Sequence, residues 1–212
     1  MRNEDILYLG TKSKSRQKLI QIAGIDYKVL EHKSEECGID IKHGFETYVL
    51  SIAQEKMEHL ILPKKEKVKR DYIFVLTADT LVRTIKSNQI LTKPKDVEDG
   101  KKMLKFLCQE PVQVVTACCL EKKKWNVKKW YIDKKIHWST KTEVEFCVQD
   151  EYLDLYFQKM PNALNACSAG IIEGFGQNFL KNINGSYTSV IGLPLYELRQ
   201  NLKKMNFKSK FL

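Results

Sequence analysis

Apolar and polar positions along this chain follow two alternating rhythms. Short apolar runs of strand length occur at Ile6–Leu9 and Tyr27–Leu30, and another, Ile73-Phe74-Val75-Leu76, stops at Asp79-Thr80. Such runs predict buried strands, here including Tyr72–Ala78. Leu81–Ile85 and Gln89–Leu91 predict a hairpin around Lys86-Ser87-Asn88, since hydrophobic segments flank a small polar turn. Pro111–Leu120 and Ile132–Val148 predict long strands. The second alternates, placing Ile136, Trp138, Val144, Phe146 and Val148 on one face.

Between these runs the period lengthens. Leu19, Ile20 and Ala23 follow Ser13, a suitable N-cap, and Gly24 closes that helix. Phe45, Tyr48, Val49, Ile52, Ala53, Met57 and Leu60 recur at helical spacing, predicting a helix over Gly44–Leu62. Val97, Gly100, Met103, Leu104 and Leu107 predict another behind Asp96. Glu151–Met160 predicts a short helix. After a glycine-dotted loop come short strands near Phe179–Ile183 and Tyr187–Val190, and a closing helix from Leu195 to about Met205.

Strands and helices interleave throughout, which predicts an α/β fold around a mixed sheet. The 212 residues suit one domain, or two small lobes sharing a cleft. No apolar segment approaches the roughly 20 residues of a membrane span. The N-terminal MRNEDILYLG reads as a first core strand rather than a signal peptide. The six cysteines form no C-x-x-C pair, which favours reduced, mostly buried thiols in a cytoplasmic protein. A net charge of +10 collects at Lys64–Arg70, Lys122–Lys124 and Lys128–Lys129, a solvated lysine-rich surface that helps steer an anionic substrate.

Several polar residues stand where packing does not ask for them. An apolar strand gains nothing by ending in a carboxylate, so Asp79 needs another reason, and Lys93 answers it across the hairpin as in a phosphate and metal site. Thr11-Lys12-Ser13-Lys14-Ser15-Arg16 lies where a strand turns into a helix, and hydroxyls, backbone N–H groups and an arginine there suit an anion. It lacks the glycine framework of a P-loop, and Ser13 as a cap with Arg16 on the surface explains it equally well. Glu35-Glu36 gain significance if they face Asp79, where three carboxylates would hold a divalent cation. Lys56 and Lys93 would then neutralise phosphate charge. Gly192 and Pro194 fit a tight turn before a helix.

Taken in order, LGTKSKSR, EE, EK, ADT, KP and SYTSVIGLPLYEL resemble the Maf family of nucleoside triphosphate pyrophosphatases, from Leu9 to Leu198. The resemblance implies one elongated α/β domain over residues 1–212, a curved mixed sheet flanked by helices with two lobes around a nucleotide-binding cleft. It implies hydrolysis of a nucleoside triphosphate to monophosphate and pyrophosphate with Mg²⁺ or Mn²⁺, clearing non-standard or excess nucleotides, and it allows a homodimer. Asp79 would be the proton acceptor, with Glu35, Glu36 and Asp79 at the metal. Thr11, Ser13, Ser15, Arg16, Lys56, Thr80, Lys93 and Glu173 would meet the substrate.

The chain departs from the family pattern at several of these places. Thr11 replaces a serine and Glu35 an aspartate. Ser15 stands where the family has an arginine associated with base selection, Glu173 where it has glutamine, and Ala166 where it has lysine. Thr80 resembles the branch acting on dTTP and UTP, while Ser15 and Glu173 resemble the branch acting on methylated guanosine triphosphate. A nucleotide-binding regulator of septum formation with weak turnover is the alternative function. Nucleic-acid binding by the basic, aromatic stretch Lys122–Tyr131 is less favoured than a hairpin with solvated lysines.

Overall fold

The computed structural model describes residues 4–32 and 44–210. Glu35, Glu36 and Cys37 lie outside the described residues. Seven strands among those described form one mixed sheet in the order β2-β1-β3-β5-β6-β7, with β4 pairing β3. They are β1 (Leu7–Gly10), β2 (Tyr27–Val29), β3 (Tyr72–Thr84), β4 (Ile90–Leu91), β5 (Val112–Trp125), β6 (Trp130–Phe146) and β7 (Leu180–Asn184). The helices are α1 (Lys14–Ile22), α2 (Phe45–Glu58), α3 (Val97–Leu107), α4 (Leu153–Lys159), α5 (Tyr187–Ile191) and α6 (Leu195–Lys204).

The chain divides into two compact units. One holds described residues within Met1–Asp79, Thr116–Ser139 and Gly192–Leu212; the other holds Thr80–Val115 and Thr140–Ile191. In the first, β1 pairs in parallel with both β2 and β3, and Leu7–Gly10 face Phe74–Thr77 in register. Its core gathers Tyr8, Met57, Ile73, Val75 and Cys119, and Phe74 meets Phe207 edge-on. In the second, β4 pairs antiparallel with Val82 and Arg83 of β3, and β7 pairs antiparallel with β6. There Leu104, Leu107, Val144, Phe146, Tyr156 and Phe179 share a core. Each such side chain contributes about 1.5–3 kcal/mol by leaving water.

Three expectations are corrected. β3 does not stop at Asp79; it continues to Thr84, because pairing with β4 supports its far half. α2 ends at Glu58 rather than Leu62, as the chain leaves the helix to pair His32 with Leu60 and to donate Ile61 N–H to Glu31 O. Tyr187–Val190 is helical, not extended. Ser186 takes the N–H groups of Ser189 and Val190 on its carbonyl, and its hydroxyl accepts from Ser189 as well, so a serine-capped turn overrides the β-propensity of the stretch.

Lys122–Tyr131 is the tip of the β5–β6 hairpin. Trp125 and Trp130 pack edge-on, and Trp130 Nε1 donates to Pro63 O at 2.8 Å. Three of its five lysines are engaged within the fold. Lys123 pairs with Glu121 and Lys124 with Asp133, while Lys122 lies over the Tyr72 and Phe74 rings.

Candidate active site

In the first unit the site grows from two matched periodicities. Thr77 and Asp79 share a face of β3, being two residues apart, and Ala53 and Lys56 share a face of α2, being one turn apart. Thr77 Oγ1 donates to Ala53 O at 2.6 Å, which clamps strand to helix. One step further along the same seam, Lys56 Nζ meets Asp79 Oδ1 at 2.5 Å, with side chains 12% and 9% exposed. Gly10 on β1 borders this seam, where a Cβ would stand 2.5 Å from Leu60 Cδ2 and 2.9 Å from Thr77 Cγ2. A buried carboxylate held against an ammonium is costly to strip of that partner.

The turn from β1 into α1 orders the hydroxyl residues. Thr11 Oγ1 accepts from Ser13 N at 3.1 Å, and Ser13 Oγ accepts from Arg16 N at 3.4 Å as the helix N-cap. Ser15 occupies the first turn. Arg16 Nε donates to Gly192 O at 2.8 Å, so the turn before α6 fixes the plane of the guanidinium. The sequence marked Gly192 as a turn residue, and its carbonyl adds a positioning role. No residue pattern announces a backbone oxygen.

In the second unit, Thr80 follows Asp79 directly along β3, and its carbonyl accepts from Cys167 Sγ at 3.5 Å. Lys93 is exposed on the segment between β4 and α3, and the neighbouring Thr92 carbonyl accepts from Ser168 N at 2.8 Å. One loop, Cys167–Ser168, therefore holds the backbone beside both residues. That loop is itself unusual: Ser168 and Ala169 both take positive φ, 60° and 57°, while buried. Tyr156 pins it, donating to Ala169 O at 2.7 Å and accepting from Ile171 N at 2.9 Å. No residue pattern in the sequence singles out Tyr156 for this role. Glu173 is half-buried, and its charge joins burial in raising the Tyr187 hydroxyl above its usual range.

The lysine that meets Asp79 is thus Lys56 of α2, one helix position among many lysines, and the hairpin pairing with Lys93 is not needed to explain the carboxylate. Among the described residues no three or more His, Cys, Asp or Glu side chains gather as a metal site. A single aspartate still fits Mg²⁺, which commonly takes one or two carboxylates and completes its shell with substrate phosphates and water.

A family model described as Maf-like protein matches residues 6–205. The chain belongs to the Maf-like family. Among its relatives, a dTTP/UTP pyrophosphatase of Acholeplasma laidlawii is 31% identical over 97% of this chain and 99% of its own. One from Colwellia psychrerythraea is 32% identical over 95% of this chain and 89% of its own. A third, from Fusobacterium nucleatum, is 29% identical over 95% and 96%. This Maf-like chain is therefore aligned almost end to end with those enzymes, and the ADT, KP and GLPL blocks fall within the matched residues.

Proposed function

We propose that the chain hydrolyses nucleoside triphosphates to monophosphate and pyrophosphate, with dTTP and UTP as preferred substrates. The observation that carries this is the pairing of Lys56 with the buried carboxylate of Asp79, seated at a strand position inside the family match. The relatives' names support the pyrimidine preference, as does Thr80. They do not favour a regulator without turnover.

In this reading water attacks the α-phosphorus, the bond to the bridging oxygen breaks, and pyrophosphate leaves. Asp79 accepts a hydrogen bond from the water, orients it and takes its proton. Lys56, already beside that carboxylate, turns its ammonium to phosphate oxygens, and Lys93 adds a mobile positive charge. Thr11, Ser13, Ser15 and the α1 N-terminus offer hydroxyl and N–H donors to phosphate, while Arg16 is held by Gly192 for the same end. Thr80 and Glu173 face the nucleoside in this assignment. Asp79, with Glu35 and Glu36, would hold Mg²⁺ or Mn²⁺, which supplies charge neutralisation at the phosphates.

The test is pyrophosphate release from dTTP, UTP, dGTP and methylated GTP with each metal. The expected result is turnover of dTTP and UTP, reduced by about 10²–10⁴ in Asp79→Asn with the fold retained. Undiminished turnover in that variant would remove Asp79 from the mechanism. Faster turnover of methylated GTP would reassign the substrate.

A further inference from the structure

Away from the candidate site, two cysteines of the second unit come together. Cys108 caps the C-terminus of α3, and Cys147 follows the last residue of β6. Cys108 Sγ accepts from Val148 N at 3.1 Å and donates to Val148 O at 3.5 Å, so it sits against the residue directly after Cys147. The Val148 amide nitrogen is joined directly to the Cys147 carbonyl carbon, so the Cys108 sulfur lies against the backbone of Cys147. Their surroundings differ. Cys147 is exposed on the surface, whereas Cys108 is half-buried.

We infer that Cys108 and Cys147 form a peroxide-sensitive thiol pair that closes to a reversible intramolecular disulfide. The exposed member reacts first. Cys147 sulfur attacks one peroxide oxygen, the O–O bond breaks, an S–O bond forms, and the thiol proton leaves with the departing alcohol or water. Cys108 sulfur then attacks the sulfenic acid at Cys147. The S–S bond forms, the S–O bond breaks, and the hydroxyl leaves as water with the Cys108 proton. Two sulfurs are oxidised and the two peroxide oxygens are reduced. Any thiol reductant reverses the step through a mixed disulfide.

The neighbours suit this order of events. Lys181 Nζ pairs with Glu145 at 2.9 Å, which places a cation on the end of β6 that leads into Cys147. Burial pushes the Cys108 thiol up, with Asp150 adding to the rise, which keeps it protonated as the second reactant rather than the first. The competing cysteines are placed otherwise. Cys118 and Cys119 are completely buried, and Cys167 Sγ is directed at Thr80 O. Closing the bond ties the end of α3 to the end of β6.

The experiment treats the full reduced chain with hydrogen peroxide, alkylates remaining thiols and maps peptides by mass. The expected product is a Cys108–Cys147 cross-linked peptide that dithiothreitol removes, with a melting temperature raised by roughly 5–10 °C in the oxidised form. In Cys108→Ser, Cys147 should instead be trapped by dimedone as a sulfenic acid. A cross-link from Cys147 to Cys37, or to a second molecule, would overturn the inference. So would oxidation of Cys147 without any cross-link in the unsubstituted chain, or no oxidation at either cysteine.

Discussion

Lys56 Nζ and Asp79 Oδ1 stand 2.5 Å apart, and neither side chain is more than 12% exposed. The contact lies one step along a seam that Thr77 and Ala53 have already closed. A helix face and a strand face thus present the two charges to each other with little freedom to miss.

Removing the cation should leave the carboxylate buried without its ammonium. Lys56→Met is expected to lower stability by about 3 kcal/mol, read as a shift in the urea midpoint at neutral pH. Lys56→Arg should recover part of that, because the charge returns on a different geometry. Equal midpoints for all three proteins would mean that the pair contributes nothing to the fold.

Alkaline pH should unfold the protein through groups that are protonated when buried. Burial pushes Cys119 from 9.0 up to about 12, and Tyr156 from 10.0 up to about 12. Each folded-state value lies above its unfolded value, so the stabilisation is complete below the unfolded value and drains away as pH rises toward 12. The urea midpoint should therefore hold steady up to about pH 9 and decline beyond it. Tyr156→Phe should be less stable by about 2 kcal/mol at pH 7, having orphaned the Ala169 carbonyl and Ile171 N–H. It should also lose the portion of the decline that begins near pH 10.

Two glycines of the second unit offer a paired test of what yields and what does not. A Cβ at Gly100 would meet the tip of the Phe157 ring at 2.6 Å, and a ring can tilt. A Cβ at Gly176 would run into the Ile171 carbonyl, which is backbone. Gly100→Ala is expected to cost about 1–2 kcal/mol, and Gly176→Ala more than about 3 kcal/mol. Thermal unfolding of both variants orders them, and the reverse order would refute the argument.

Ser168 holds φ at 60° without being glycine. The left-handed region costs an ordinary residue about 1–2 kcal/mol. Ser168→Gly should relieve that strain, at the loss of the Ser168 hydroxyl bond to Cys167 O. The net expectation is a gain of about 0.5–1 kcal/mol, seen as a higher melting temperature. A drop would show the hydroxyl to be worth more than the strain.

Most of the fold was legible because hydrophobic period and caps agreed. Ser13 and Asp96 do cap α1 and α3, with Asp96 accepting from Asp99 N at 2.8 Å. What escaped was decided by distant partners. β3 looked finished at Asp79 because a carboxylate in an apolar strand resembles a terminus, and pairing to β4 and β5 carries it on. Tyr187–Ile191 carries β-forming residues, yet three hydrogen bonds to Ser186 outweigh them. In the candidate site, Asp79, Arg16 and Lys56 could be singled out by residue type. That Lys56 is the lysine meeting Asp79 depends on a helix–strand register which no local pattern encodes.

The division into two units carries a consequence for ancestry. One unit is assembled from three stretches of chain and the other from two, interleaved along the sequence, and β3 passes from one to the other between Asp79 and Thr80. No single crossover point separates them. A recombination event at any one position splits at least one of them, so the pair does not separate into portable modules. Asp79 and Thr80, adjacent residues assigned to different units, are inherited as one.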